Sequence, residues 1–183
     1  MKQPTPLFIA TKRFDPADGE AWEKYCAWAK IPALVELVSL DSLMCAHLIK
    51  EFRDEDWNHN VHEDFRLDYF YNLDYLVQRV KDLPRRNILG LYRNSEVHIV
   101  SPPASADFSF MGYDLIDETT QISALTNCGG FFDVFRNGEL NRFGLISDFD
   151  RASEIRRVLG VSHPEEAHAQ CDMYAIWRLS EGI

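Results

Sequence analysis

The sequence predicts an α+β fold in which helices pack on a mixed, mostly antiparallel sheet, with a three-layer α/β arrangement as the alternative. Short runs of buried or alternating apolar residues have the length of strands, and capped segments between them carry apolar residues at helical spacing. The chain of 183 residues is 46% hydrophobic and 26% charged, which is the composition of an ordinary folded domain. We therefore expect residues 1–183 to form a single globular domain.

Apolar runs and prolines predict the first elements. Residues 7–14 have the pattern of a strand, and Pro16 is placed at the first position of a helix. That helix must end shortly before Pro32, because proline disfavours the helical conformation in the residue before it. A buried strand is expected over residues 33–40, and helical spacing favours a helix over residues 42–52.

The longest helix is predicted to begin at a capping pair, Asn60 and Glu63, and to end before Pro84. Apolar residues between these points recur at helical spacing and would make one buried stripe. They are Phe65, Tyr69, Leu73, Leu76, Val77 and Val80. The stripe predicts a helix that buries one face.

Several short strands are predicted next along the chain. Residues 87–93 and 97–100 have the pattern of a hairpin, and residues 113–116 and 122–126 have the pattern of two more strands. Residues 127–130 should form a turn, because glycine adopts the positive φ values that other residues avoid.

The last two elements are a helix and a strand. Ser147 and Asp150 make a capping pair for a helix that should stop at Gly160. Residues 172–179 carry apolar side chains on both faces, which favours a central strand over an edge strand.

The net charge argues against several classes of partner. The chain has 19 Lys and Arg residues against 29 Asp and Glu residues, a net charge of −10. This charge repels phosphate backbones and anionic lipid, so we predict neither a nucleic-acid nor a membrane partner. The first residues lack the apolar core of a signal peptide. Four scattered cysteines without a Cys-x-x-Cys motif fit reduced thiols, so we expect a cytoplasmic protein, and no cofactor is indicated.

Half of the net charge lies in residues 51–82, which contain nine carboxylates and four bases. A local negative field attracts a cationic protein, and aromatic side chains could anchor the centre of an interface. The predicted binding residues are Asp54, Asp56, Trp57, Asp64, Phe65 and Tyr69. We therefore favour an interaction protein that binds a basic protein partner, in a neutralising or regulatory role. The competing interpretation is that the acids only confer solubility and the aromatics fill the core.

The alternative function is a small-molecule enzyme with its pocket at the turn of residues 127–130. Glycines after a strand expose backbone amides that can hold an oxyanion. Cys128 would be the nucleophile, with His168 as its base and Asn141 as the orienting group, provided that the three converge. The interaction protein is the favoured hypothesis, because one sequence does not show that convergence.

A metal site is considered at His163, His168 and Cys171, which combine nitrogen and sulfur ligands over a short stretch. A structural zinc needs a fourth ligand, and none is evident nearby in the sequence. We therefore predict no metal site.

Overall fold

A computed structural model describes residues 5–48, 53–64, 67–93, 101–104, 107–117, 119–127 and 130–180. Within them, four α-helices accompany one sheet of seven strands. The strands are β1 Leu7–Lys12, β2 Val61–Asp64, β3 Leu67–Phe70, β4 Arg86–Arg93, β5 Phe108–Asp117, β6 Ile122–Ser123 and β7 Asp172–Leu179. The helices are α1 Glu20–Ala29, α2 Trp57–Asn60, α3 Leu73–Val80 and α4 Phe149–Ser162.

The strands are ordered β2-β3-β1-β4-β7-β5-β6, and every described pair of neighbours is antiparallel. The α+β class is therefore confirmed, and no described strand pair supports the parallel three-layer alternative. Within the described residues, no helix has both the length and the apolar character needed to cross a membrane.

The first strand and helix are confirmed. Asp15 precedes a 3₁₀ turn, Pro16–Asp18, and its carboxylate accepts the backbone N–H of Ala17 at 2.9 Å. Helix α1 follows and ends at Ala29, where Lys30 adopts a left-handed conformation with φ 52°. The helix thus stops before Pro32, as the sequence predicts.

The strand predicted over residues 33–40 and the helix predicted over residues 42–52 are wrong for the part of the chain that is described. This segment, up to residue 48, is a loop held by isolated bridges from His47 to Thr11 in β1 and from Leu37 to Phe14, two residues after β1. The apolar spacing marked burial correctly, since Leu37 and Leu40 are fully buried. Burial in a loop and burial in a strand leave the same pattern.

The long helix predicted from Asn60 is also wrong. Residues 61–64 and 67–70 are the antiparallel strands β2 and β3, with Tyr69 opposite His62, and among the described residues after Asn60 the predicted helix is present only over residues 73–80. The real helix cap is Asn72, whose side-chain oxygen accepts the N–H of Tyr75 at 3.1 Å. Tyr69 and Phe70 are adjacent and both fully buried, a two-sided burial that a one-sided helical stripe does not describe.

The later strands agree more closely. Strand β4 includes the predicted residues 87–93, whereas the predicted strand over 97–100 lies outside the described residues. Strand β5 is longer than predicted, and β6 is only two residues because the chain turns at residues 123–127. Gly130 has φ 152°, as predicted for the turn.

Helix α4 is capped by Asp148, one residue after the predicted Ser147, and its carboxylate accepts the N–H of Arg151 at 2.8 Å. The helix continues past Gly160. A Cβ atom at residue 160 would lie 3.0 Å from the backbone oxygen of Ala169, so this glycine permits a close approach rather than ending the helix. Strand β7 is central, as predicted, between β4 and β5.

Candidate functional site

The first of the predicted binding residues, Asp54, lies beside α3. Asp54 bonds to this helix, because its carboxylate accepts the Tyr75 hydroxyl at 2.6 Å and the Arg79 Nε at 2.8 Å. The Tyr75 hydroxyl and the Arg79 guanidinium hold the pKa of Asp54 below its ordinary value. Asp54 therefore attaches the loop before α2 to α3.

Its neighbours are different. Glu55, Asp56 and Asp74 are exposed, and none of them has a cationic partner among the described residues. Asp74 lies in the first turn of α3. We call these three carboxylates, together with Asp54, the acidic end. Three of its four charges thus face solvent and have no cationic partner among the described residues.

Two of the predicted aromatic anchors are in the core instead. Trp57 is 3% exposed and packs edge-on against Phe70 at 5.5 Å between ring centroids. Tyr69 is fully buried, and its hydroxyl lies 2.7 Å from that of Tyr174. Both serve the packing of the sheet, as aromatics in a small domain usually do, so neither can be a surface anchor in this fold.

Two predicted binding residues remain, Asp64 and Phe65. Asp64 ends strand β2, and Phe65 lies outside the described residues. The exposed aromatic at this place is Tyr71, which is 48% exposed and whose N–H bonds to the backbone oxygen of Asn60. Its position directly after Tyr69 and Phe70 is visible in the sequence, but its exposure depends on the fold.

The predicted catalytic residues are only partly described. Cys128 lies outside the described residues. The Asn141 amide donates to the backbone oxygen of Met111 at 2.8 Å and to the Ser147 hydroxyl at 3.0 Å. Within the described residues, no hydrogen bond, ion pair or ring contact joins Asn141 to His168. Asn141 therefore organises its own loop, and the convergence that an enzyme would need stays a prediction.

His168 is 5% exposed and packs against the ring of Phe131. Its Nε2 has no hydrogen-bond partner among the described residues. Burial lowers the pKa of His168. At neutral pH the side chain is therefore a neutral imidazole, packed in the core beside Phe131.

The three residues considered as metal ligands, His163, His168 and Cys171, each have a different environment. His163 Nε2 lies 2.9 Å from a carboxylate oxygen of Asp133. Cys171 is 1% exposed, and burial raises its pKa to about 12. Within the described ranges no group of three or more His, Cys, Asp or Glu side chains is placed to hold a metal ion.

Sequence reasoning missed a network of buried acids under the turn at residues 123–127. Asp114, in β5, accepts the hydroxyls of Ser39 at 2.5 Å and Ser123 at 2.6 Å. Asp41 accepts the N–H of Ser123 and the Asn127 amide, each at 2.9 Å. We call Ser39, Asp41, Asp114 and Ser123 the buried acid network. It ties the loop before residue 48 and the turn after β6 to the sheet.

Glu36 is a further buried carboxylate, 5% exposed. It accepts bonds from Arg13 at 3.0 Å, Arg178 at 2.7 Å and Asn87 at 2.9 Å. Burial acts to raise the pKa of Glu36, but the bonds from Arg13, Asn87 and Arg178 outweigh burial and lower it. This cluster joins β1, β4 and β7 through one charge.

A second acidic surface is a cleft of about 450 Å³ beside the 3₁₀ turn Ala167–Gln170. The carboxylates in its lining are Asp117, Glu165, Glu166 and Asp172. Of these, Glu165 and Glu166 are exposed without a cationic partner among the described residues. We call it the carboxylate cleft.

Comparisons with known protein families, with curated proteins and with solved structures give no match. We therefore infer the function from the geometry and charge of this chain.

Proposed function

We propose that this chain is an interaction protein whose acidic end binds a basic segment of a protein partner, in a neutralising or regulatory role. The observation that carries the proposal is the set of exposed carboxylates at Glu55, Asp56 and Asp74, which have no cationic partner among the described residues. Charges left unpaired at a surface are available to attract and orient a partner of opposite sign.

The position of these carboxylates supports the same proposal. Asp54 holds the adjoining loop on α3 through Tyr75 and Arg79, so the neighbouring charges are presented from a fixed backbone. A fixed arrangement loses less conformational entropy when a partner binds. Tyr71, 48% exposed, supplies an aromatic surface at the same end of the sheet.

We place this binding in the cytoplasm. Cys26, Cys45 and Cys171 carry free thiols, which is the usual state of cysteines in a reducing compartment. Burial raises the pKa of all three thiols, so at neutral pH they are protonated and weakly reactive.

The test compares two variants with equal changes of charge. One carries Glu55→Lys and Asp56→Lys at the acidic end, and the other carries Glu165→Lys and Glu166→Lys at the carboxylate cleft. Each is titrated against a fluorescein-labelled lysine-rich peptide by anisotropy at 25 and 150 mM NaCl. We expect the acidic-end variant to lose about tenfold in affinity at low salt, because like charges face the peptide, and the wild-type affinity to fall with salt.

The cleft variant shows what the overall charge alone contributes. A loss of the same size in both variants would mean that the peptide responds only to net charge, and the proposed site would be wrong. A larger loss in the cleft variant would move the binding site to the carboxylate cleft.

A further inference from the structure

A second cleft, on the other side of the same 3₁₀ turn, has the opposite charge. It lies between α4 and the start of β7 and has a volume of about 630 Å³, within the range of sites that hold small molecules. Among the described residues that line it, Arg156 and Arg157 carry charge and none is acidic. We call it the arginine cleft. In a chain with a net charge of −10, it is a local reversal of sign.

Arg156 is held in position at the cleft. Its Nε donates to the backbone oxygen of Cys171 at 2.9 Å, and its Nη2 lies 3.5 Å from a carboxylate oxygen of Asp172. A guanidinium has five N–H groups in a planar fork, and these contacts use only part of them. The rest can donate to an anion in a defined orientation.

Arg157 is exposed and makes no ion pair or hydrogen bond with any residue in the described ranges. The nearest acid one turn earlier, Glu154, is engaged by Arg151 at 2.7 Å. The charge of Arg157 is therefore not neutralised by its own helix. Two adjacent guanidinium groups, one fixed and one unpaired, suit a carboxylate better than a neutral ligand.

The rest of the lining is largely apolar. Phe149 and Met173 line the cleft, and Val161, which also lines it, is 71% exposed. The Ser153 hydroxyl, whose nearest polar contact is the Met173 sulfur at 3.9 Å, adds one donor. An apolar surface beside paired cations matches a ligand with a charged head and an apolar body.

We propose that the arginine cleft binds a small amphiphilic carboxylate, with its carboxylate on Arg156 and Arg157 and its apolar body along Phe149, Val161 and Met173. This site goes beyond the proposed function, because the acidic end takes a cation and this cleft takes an anion. Its test is independent of any protein partner.

Octanoate is the probe, followed by amide chemical-shift changes in ¹⁵N-labelled full-length protein. We expect saturable shifts at residues of α4 and the start of β7. Butanoate should bind more weakly, because it buries fewer methylene groups, and 1-octanol should bind more weakly, because it lacks the charge. Arg157→Gln should weaken octanoate binding at least about fivefold, the effect expected for one charge-assisted contact.

The matched control is Arg136→Gln, which removes one exposed arginine outside the cleft and should leave octanoate binding unchanged. Three results would each overturn the proposal: no saturable shift with octanoate, equal binding of octanoate and 1-octanol, or equal losses in Arg157→Gln and Arg136→Gln. Because Arg157 is exposed and unpaired, its replacement leaves the fold intact, and the ¹⁵N spectrum verifies this directly.

Discussion

Asp41 and Asp114 have no exposed surface, whereas Glu55 and Asp56 at the acidic end are open to solvent. The buried pair accepts bonds from serine hydroxyls, backbone N–H groups and the Asn127 amide. The side chains of the exposed pair accept no hydrogen bond from any described residue. The same functional group thus organises the fold in one region and remains available for binding in the other.

The difference follows from the cost of burying a charge. An isolated carboxylate in the interior is strongly disfavoured, so it is retained only where donors surround it. Burial raises the pKa of Asp114, as expected for a carboxylate removed from water. A surface carboxylate is solvated and has no such requirement, so its removal should leave the fold unchanged.

The largest loss of stability is expected for a substitution at Asp114, because buried and exposed carboxylates should differ most there. Asp114→Ala leaves the N–H groups of Leu40 and Leu115 and two serine hydroxyls without an acceptor. Unsatisfied buried groups cost about 1–3 kcal/mol each, so we expect a loss of about 3 kcal/mol or more in the free energy of unfolding. Urea denaturation at pH 7 measures it.

Asp82→Ala is the matched control, because Asp82 is exposed and its loss should cost less than about 0.5 kcal/mol. Asp114→Asn, which keeps the volume and one acceptor oxygen, should fall between the two. Equal stabilities of Asp114→Ala and Asp82→Ala would break the distinction between the two regions.

Glu36→Gln should have the next largest effect, about 2 kcal/mol at pH 7, because two of its three partners are arginines with partly exposed side chains. The pKa of Glu36 is lowered in the folded state. Its contribution is therefore complete above the ordinary glutamate value of about 4.3 and is lost as the pH falls through the lower folded-state pKa.

The gap in stability between wild type and Glu36→Gln should accordingly be constant from pH 7 to about pH 5.5 and then narrow toward pH 3.5. Urea denaturation at several pH values follows it. A gap that widens as the pH falls would show that the arginine contacts do not stabilise the ionised form.

The helices and strands that the sequence predicted correctly are those whose prolines, caps and apolar pattern all indicate the same backbone conformation. Strand β7 was predicted because apolar residues occupy both faces, and α1 because it lies between Pro16, which begins the preceding 3₁₀ turn, and Pro32. The helix predicted from Asn60 failed because apolar spacing reports which residues are buried and does not report their backbone conformation. Phe70, buried beside Tyr69, belonged to a sheet that no local pattern reveals.

The candidate site shows the same limit. The excess of acidic residues over residues 51–82 could be predicted from composition. The different roles of Asp54, which is bonded to α3, and of its exposed neighbours could not. That difference depends on Tyr75 and Arg79, which the fold brings to Asp54 across more than twenty residues. Asp114 was missed because a carboxylate in the middle of an apolar strand acquires partners, such as Ser39 and Leu40, that are distant in sequence.

Tyr75→Phe tests the one carboxylate of the acidic end that has a structural role. The substitution removes only the hydroxyl that donates to Asp54 at 2.6 Å and keeps the buried ring. We expect a loss of about 1 kcal/mol, the usual worth of one hydrogen bond, measured by urea denaturation. Asp54→Ala, alone and combined with Tyr75→Phe, completes a double-mutant cycle. Losses that simply add would show that the bond between Tyr75 and Asp54 does not stabilise the fold.

The smallest effect on stability is expected for the double variant Glu55→Lys and Asp56→Lys. Both side chains are exposed, so the free energy of unfolding should stay within about 0.5 kcal/mol of wild type. Reversal of two acids also brings the net charge closer to zero, which relieves self-repulsion and favours the compact state slightly. Urea denaturation at 10 and 150 mM NaCl should show any gain in stability shrinking with salt.

A loss above about 1.5 kcal/mol would mean that these carboxylates stabilise the fold as Asp114 does. Unchanged stability together with lost peptide affinity would separate folding from binding within one residue type, because only the buried acids would then be needed to fold.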